Sequence, residues 1–160
     1  MPPKKGRRHV LRVVRDILFH EPQGRGTDTI AALNAANRVL RRRAIVFLIS
    51  DFAMGGDPQA GHAALRRAMA QTNRRHDLIA LHVEDPRERE LPNVGIVALQ
   101  DAESGEIVEL DTARASIRQH FKELSAERSK RLRADLRAEG VDHLQLLADA
   151  HYLPALQRFL

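Results

Sequence analysis

The stretch AIVFLISDF, Ala44–Phe52, contains an uninterrupted apolar run, Ile45–Ile49, that ends in Ser50 and Asp51. A strand with one solvent-exposed face alternates apolar and polar side chains, whereas a strand covered on both faces is apolar throughout. The run therefore predicts a strand of a parallel sheet that is buried on both faces. Ligands bind to open parallel sheets at the carboxyl ends of their strands, and this strand ends at Asp51.

Helices and strands alternate along the rest of the chain. The hydrophobic periodicity predicts helices over His9–His20, 27–42, 60–75, 114–139 and 151–160, buried strands over Asp77–Asp85 and Val141–Asp149, and a hairpin from Val94–Asp101 and Glu106–Asp111. Gly140 stands where a glycine commonly ends a helix. This alternation predicts an α/β fold with a parallel sheet and right-handed crossovers, in one domain over residues 1–160.

The composition limits the functions that need to be considered. The chain has 160 residues, 43% of them hydrophobic, and no cysteine. Disulfides and thiolate metal sites are therefore excluded, and a reducing cytoplasm is the expected compartment. No apolar run is long enough to span a membrane, so we expect no membrane contact. The net charge of +5 is compatible with solvated helix faces, and the scarcity of aromatic residues disfavours single-stranded nucleic acid.

A second stretch, GRGTDTIAAL, Gly24–Leu33, delivers Thr27 and Asp28 to the start of a helix that leads into the Asp51 strand. Thr27 and Asp51 should therefore lie on the same edge of the sheet. Hydroxyl and carboxylate oxygens suit Mg²⁺ or Ca²⁺, but Thr and Asp are also preferred helix caps and turn formers. On spacing alone, the capping interpretation is the stronger one. Asp85 and Asp149 also follow strands, and we interpret both as turn formers.

Four longer strings carry a resemblance to a known family. They are RRHVLRVVRDILFHEPQGRGTDTIAALNAANRVLRRRAIVFLISDF, RRHDLIALHVEDPREREL, LPNVGIVALQDAESGEIVELDT and GVDHLQLLADAHYLPALQRFL. In this order they resemble the second half of a bacterial von Willebrand factor A-like domain. More specifically, they are similar to the proteins called domain of unknown function 58, which are encoded beside MoxR-type AAA+ ATPases. The resemblance implies a Rossmann-like sheet with a β-hairpin insertion.

The resemblance also implies a metal-ion-dependent adhesion site. In the family that site combines a DxSxS motif after the first strand, a Thr in a later loop and an Asp after the fourth strand. Thr27 matches the Thr and Asp51 matches the Asp, while Asp28 and Ser50 are candidates to support them without touching the ion. The expected ion in a complete domain is Mg²⁺.

This sequence departs from the family pattern because it contains no DxSxS motif. The family's first strands would precede residue 1, so the chain resembles an incomplete von Willebrand A-like domain. The missing first strand would lie beside Ile45–Ile49, and an unpaired apolar edge of this kind is a template for association. We therefore expect homo-oligomers or strand exchange, and little or no tight Mg²⁺ binding by two ligands alone.

The function that the resemblance implies is non-enzymatic. The chain is expected to be a protein-interaction module and an adaptor for a MoxR-type AAA+ ATPase and its client proteins. Its partial adhesion site would accept a carboxylate from a partner. The alternative is a nucleic-acid-binding module that uses the basic amino-terminal helix with Arg41–Arg43, although no nucleic-acid motif is present. A metal-dependent hydrolase is disfavoured, because no candidate base accompanies Asp51.

Overall fold

The structure is a computed structural model that describes residues 4–21, 27–53, 58–100, 107–148 and 151–159. Its elements in chain order are α1 (Arg7–Leu18), α2 (Thr29–Val39), β1 (Ile45–Ser50), α3 (Pro58–Arg75), β2 (Asp77–Glu84), β3 (Ile96–Gln100), β4 (Ile107–Asp111), α4 (Ala115–Ala138), β5 (Asp142–Leu147) and α5 (Leu153–Phe159). A 3-10 turn, Pro86–Glu88, follows β2. The predicted α/β class is confirmed. None of the helices in these ranges combines the length and apolar composition needed to cross a bilayer.

Three parallel strands form the main sheet in the order β1-β2-β5. The register places Ser50 beside His82 and His82 beside Gln145, so the carboxyl ends of the strands meet at one edge. Helix α3 connects β1 to β2, and the segment between β2 and β5 contains α4. The parallel sheet predicted from the alternating pattern is therefore present.

The core lies on the sheet face that carries Leu78 and Ala80 of β2. Helix α3 contributes the inward positions that its periodicity predicts: Leu65, Ala68, Met69 and Thr72 are all buried. Leu33 of α2 and Leu132 and Leu136 of α4 join them. Asn37 of α2 is also buried, and it donates a hydrogen bond of 2.8 Å to the hydroxyl of Thr72.

The ends of two helices are fixed by local hydrogen bonds. The carboxylate of Asp28 accepts a 2.8 Å hydrogen bond from the backbone N–H of Ala31 and so caps α2. At the end of α4, Gly140 has a φ of 64°, a left-handed conformation that glycine adopts without steric cost. The N–H of Val141 then donates to the carbonyl of Leu136 at 2.9 Å. This is the helix-ending motif predicted for Gly140.

The predicted hairpin is confirmed as the antiparallel pair β3 and β4. Its proposed turn, residues 101–106, lies outside the described residues. Thr112 is completely buried at the base of the pair, where its hydroxyl donates to the carbonyl of Gly95 at 2.6 Å and accepts from the N–H of Val94 at 3.1 Å. The Thr112 side chain therefore connects the end of β4 to the segment before β3, at the end of the hairpin opposite its turn.

The prediction that β1 is buried on both faces is wrong for this chain. Ile45 and Ile49 are 61% and 65% exposed, and Phe47 is also exposed, whereas Val46 and Leu48 pack against the core. The helices that form the core cover only the face that carries Val46 and Leu48. The opposite face of β1 remains open in the described part of the chain, as does the apolar side of α1, where Ile17 and Leu18 are exposed. An apolar run reveals which side chains avoid water, but not whether this chain covers them.

We predict that Leu136→Ala lowers the free energy of unfolding by about 2–5 kcal/mol, since it leaves a cavity at a fully buried position. Leu124 lies on the same helix but is 51% exposed. Leu124→Ala is therefore the matched control, with an expected loss below about 1 kcal/mol. Urea unfolding followed by circular dichroism measures both values. Equal losses in the two variants would contradict the placement of the core.

Candidate functional site

The carboxyl edge of the sheet borders a cavity of about 490 Å³. The end of β1 contributes Asp51 and Phe52, and β2 contributes His82 and Glu84. The other polar groups in the lining are His62, Asp85, Arg87, Glu88, Gln100, Ser125, Arg128 and Ser129. Helix α4 and the hairpin therefore complete a cavity that combines apolar walls with these polar groups, at the position where open parallel sheets bind ligands.

Asp51 is held in a tight turn directly after β1. Its Oδ1 accepts a hydrogen bond of 3.1 Å from the N–H of Ala53, and the hydroxyl of Ser50 lies 3.5 Å from the same oxygen. The N–H of Phe52 donates to the Ser50 hydroxyl at 3.0 Å. Phe52 is buried and has a φ of 54°, which is rare for a residue with a side chain. Such strain occurs most often at functional sites and persists only where the surrounding structure enforces it.

Glu84 is the most deeply buried carboxylate described at this edge, with 4% of the residue exposed. It accepts hydrogen bonds from Nε of Arg89 at 2.6 Å and from Nε2 of Gln145 at 2.5 Å. Burial raises the pKa of Glu84, but the hydrogen bond and charge of Arg89, helped by Gln145, outweigh burial and leave the pKa below its ordinary value. Glu84 is therefore a permanent negative charge beside the cavity at neutral pH.

His82 lies between Asp51 and Glu84. Its ring contacts Phe52 edge to face, with centroids 5.6 Å apart, and it forms a hydrogen bond with the backbone of Asp51. Burial lowers the pKa of His82 despite the nearby charge of Glu84. His143 of β5 follows at a centroid distance of 6.0 Å, and burial, with repulsion from His82, lowers its pKa too. Both rings are therefore neutral at pH 7, as expected for packed histidines.

The acidic groups around the cavity influence each other. Burial and then the charges of Asp51 and Asp85 raise the pKa of Glu88. Asp85 itself accepts a hydrogen bond of 2.8 Å from the N–H of Arg87 and caps the 3-10 turn, in agreement with its interpretation as a turn former. The described lining contains four carboxylates, those of Asp51, Glu84, Asp85 and Glu88, and the guanidinium groups of Arg87 and Arg128. Acidic groups therefore outnumber these basic ones, which favours a cation or a basic group.

The residues predicted to form or support a metal site lie in different local settings. Ser50 and Asp51 are adjacent in the chain, and the Ser50 hydroxyl lies 3.5 Å from Oδ1 of Asp51, whereas Asp28 caps a helix. Thr27 is exposed just before that cap. Within the described ranges, no three His, Asp or Glu side chains are grouped so that they could hold a metal ion. Asp149 lies outside those ranges.

The sequence analysis missed the group formed by Glu84, Arg89 and Gln145. One signal was available, since His82 and Glu84 interrupt an otherwise apolar strand with period two and must share a face. The contact with Gln145 depends on the register between β2 and β5, which is set by residues far apart in the chain.

We predict that Arg89→Ala lowers stability at pH 7 by about 1–3 kcal/mol, because it leaves a buried carboxylate with too few partners. Since the folded-state pKa of Glu84 is lowered, the stabilisation is present above the ordinary pKa of Glu and disappears as the pH falls through the folded-state pKa. The difference between wild type and Arg89→Ala in urea unfolding should therefore shrink in acid. Arg87→Ala, at an exposed position, is the control. A difference that does not change with pH would exclude this role of Glu84.

Acidification should also destabilise the fold through His82 and His143. The folded-state pKa values of His82 and His143 are lowered, so the unfolded chain binds protons first as the pH falls below about 6.5. We expect the free energy of unfolding to decrease between pH 7 and pH 5, and to decrease less steeply in His82→Gln. Unfolding curves at several pH values measure both slopes, and identical slopes would show that His82 does not contribute.

Comparison with known proteins gives a consistent assignment. An uncharacterized protein of Mycobacterium tuberculosis and one of Mycobacterium bovis are each 33% identical to the chain over 162 residues, covering 100% of the chain and 49% of the relative. The chain thus spans about half the length of these relatives. An uncharacterized protein of Mycobacterium avium is 32% identical, and the chain covers 91% of it. No significant match was found among solved structures.

The family described as "Protein of unknown function DUF58" matches residues 1–131. That range includes α1, α2, the first two strands of the main sheet, the hairpin and most of α4. It also includes Asp51, His82 and Glu84 at the cavity. On this match, and on the identity shared with the mycobacterial relatives over the whole chain, the protein belongs to the DUF58 family.

Proposed function

We propose that this chain is a non-enzymatic protein-interaction module, an adaptor for a MoxR-type AAA+ ATPase and its client proteins. In this proposal it is part of a von Willebrand A-like domain whose adhesion site captures a partner carboxylate through Mg²⁺. Thr27 and Asp51 supply part of the metal site. The observation that supports the proposal best is the turn at Ser50–Phe52, which holds Asp51 at the cavity with a strained backbone.

The geometry around Asp51 suits a role in binding. The side chain is exposed, and the backbone N–H of Ala53 restrains its Oδ1. Buried Phe52 anchors the turn from the core side. A carboxylate held in this way loses little conformational entropy when it binds, and preorganisation of this kind improves affinity.

The surroundings of Asp51 favour a cation. Burial raises the pKa of Glu88, and the charges of Asp51, Asp85 and Glu84 raise it further, so a positive charge beside these carboxylates would be stabilised. Two protein ligands alone cannot offset the cost of dehydrating Mg²⁺. The complete site therefore needs ligands beyond Thr27 and Asp51, and the captured carboxylate occupies the last coordination position.

We predict that Asp51→Asn and Thr27→Ala each weaken binding to the MoxR-type ATPase at least tenfold, about 1.4 kcal/mol. The measurement is biolayer interferometry with a MoxR-type AAA+ ATPase in Mg²⁺, and it uses this chain joined to the remaining half of a longer relative so that the further ligands can be present. Asp77→Asn is the matched control, because Asp77 is an exposed carboxylate at the opposite end of β2 and does not line the cavity. Thermal unfolding confirms that each variant is folded.

Two results would overturn the proposal. The first is an absence of measurable binding between the wild-type form of this joined protein and the ATPase. The second is binding that Asp51→Asn leaves unchanged, since the interaction would then use another surface. Binding to duplex DNA that weakens steeply with salt would instead support the nucleic-acid alternative.

A further inference from the structure

Strand β1 presents an open edge that lacks the usual protection. It pairs with β2 on one side, and no described strand pairs with it on the other. Natural sheets protect such edges with Lys, Pro, bulges or very short strands. The sequence of β1, IVFLIS, has none of these charges or prolines, and its pairing with β2 is regular over its whole length. The free N–H and C=O groups of this edge are therefore available to another strand.

The alternation of burial along β1 restricts how a second strand can align. Ile45, Phe47 and Ile49 lie on the open face, and Val46 and Leu48 lie on the core face. In an antiparallel pair, directly opposed residues point to the same face. If the partner is a second β1, its odd-numbered residues must therefore oppose odd-numbered residues. The alignment that pairs the whole apolar run places Phe47 opposite Phe47 and Ile45 opposite Ile49.

The same alignment brings opposite charges together at both ends. Continued past the ends of β1, the same count brings Arg43 of one copy to the end of the pair at which Asp51 of the other copy lies, and both residues are exposed. The two-fold axis repeats this pair at the other end of the strand. A parallel alignment would instead place the Arg41–Arg43 segments of the two copies side by side, where like charges repel.

We propose that two copies of this chain associate through antiparallel pairing of β1 with β1, centred on Phe47, to form a continuous six-stranded sheet. The contact is isologous and closes on itself, so it produces a dimer rather than a fibre. Backbone hydrogen bonds and the apolar pairs Ile45–Ile49 and Phe47–Phe47 stabilise it. Exposed ion pairs contribute little affinity, so the Arg43–Asp51 pairs add little to the strength of the dimer. Their role is to select the orientation and register of the two strands. This contact requires no ion, although it uses the carboxylate of Asp51, which is also a proposed metal ligand.

Single cysteines test the register directly, because the natural chain has none. Opposed residues of antiparallel strands have Cα atoms about 4.5–5.5 Å apart, within the range of a disulfide. Phe47→Cys should therefore cross-link to itself under mild oxidation. Ile45→Cys should not cross-link to a second copy of itself, because position 45 of one copy would lie about 13 Å from position 45 of the other along the strands, and the same holds for Ile49→Cys. A mixture of the two variants should cross-link, because position 45 of one copy lies opposite position 49 of the other.

Ile45→Cys and Ile49→Cys are well matched to each other as controls, because Ile45 and Ile49 are 61% and 65% exposed on the same strand face.

Light scattering provides a second test. The wild-type chain at tens of micromolar should have the mass of a dimer, and Arg43→Glu should shift the average mass toward that of a monomer. Arg43→Glu combined with Asp51→Lys should restore the dimer, because the charges are exchanged. The disulfide experiment leaves Asp51 intact, so its outcome is separate from that of the ATPase experiment.

Each outcome decides the proposal. A monomeric wild-type chain without cross-linking of Phe47→Cys would overturn it and leave β1 for a strand from another protein or from another part of a longer family member. Cross-linking of Ile45→Cys alone would indicate parallel pairing and also overturn it. Cross-linking of Phe47→Cys with Ile49→Cys, instead of Ile45→Cys with Ile49→Cys, would show a shifted register and refute the centring on Phe47.

Discussion

The central strand β2 is the constraint on which the rest of this structure depends. It is hydrogen-bonded on both sides, to β1 and to β5, and almost all of its residues are buried. Its even-numbered residues share one face, where Leu78 and Ala80 lie in the core and Glu84 lies at the cavity. The face thus changes from apolar to polar along a single strand. The helices that pack on its first half determine where the cavity begins.

The register between neighbouring strands extends this change from apolar to polar side chains across the sheet. Ser50, His82 and Gln145 lie side by side on three adjacent strands, so the polar ends of these strands lie at the same edge of the sheet. Burying Glu84 there costs free energy that Arg89 and Gln145 offset, and truncation of either partner would leave a charge with poor solvation. His82 connects the polar cluster to the turn at Asp51, because it forms a hydrogen bond with the backbone of Asp51 and interacts with the charge of Glu84.

Much of the fold is predictable from local pattern, because the information is local. The inner stripe of α3, the parallel strands and the end of α4 at Gly140 follow from periodicity and backbone preference. The exposure of β1 does not follow, since apolar side chains show a need for cover and not its source. The role of Glu84 was missed because its partners are distant in sequence. The joint role of Thr27 and Asp51 stays a prediction that rests on family resemblance.

The open edge of β1 and the proposed metal site make competing demands on one residue. In the antiparallel dimer, Asp51 faces the guanidinium group of Arg43 from the second copy. A cation at Asp51 would then have to displace that ion pair or share the carboxylate with it. A different strand at the same edge, without an arginine opposite Asp51, would leave the carboxylate available for Mg²⁺. Whatever pairs with β1 therefore determines whether Asp51 acts as half of an ion pair or as a ligand. In this way, backbone pairing at a sheet edge would control the chemistry at its carboxyl end.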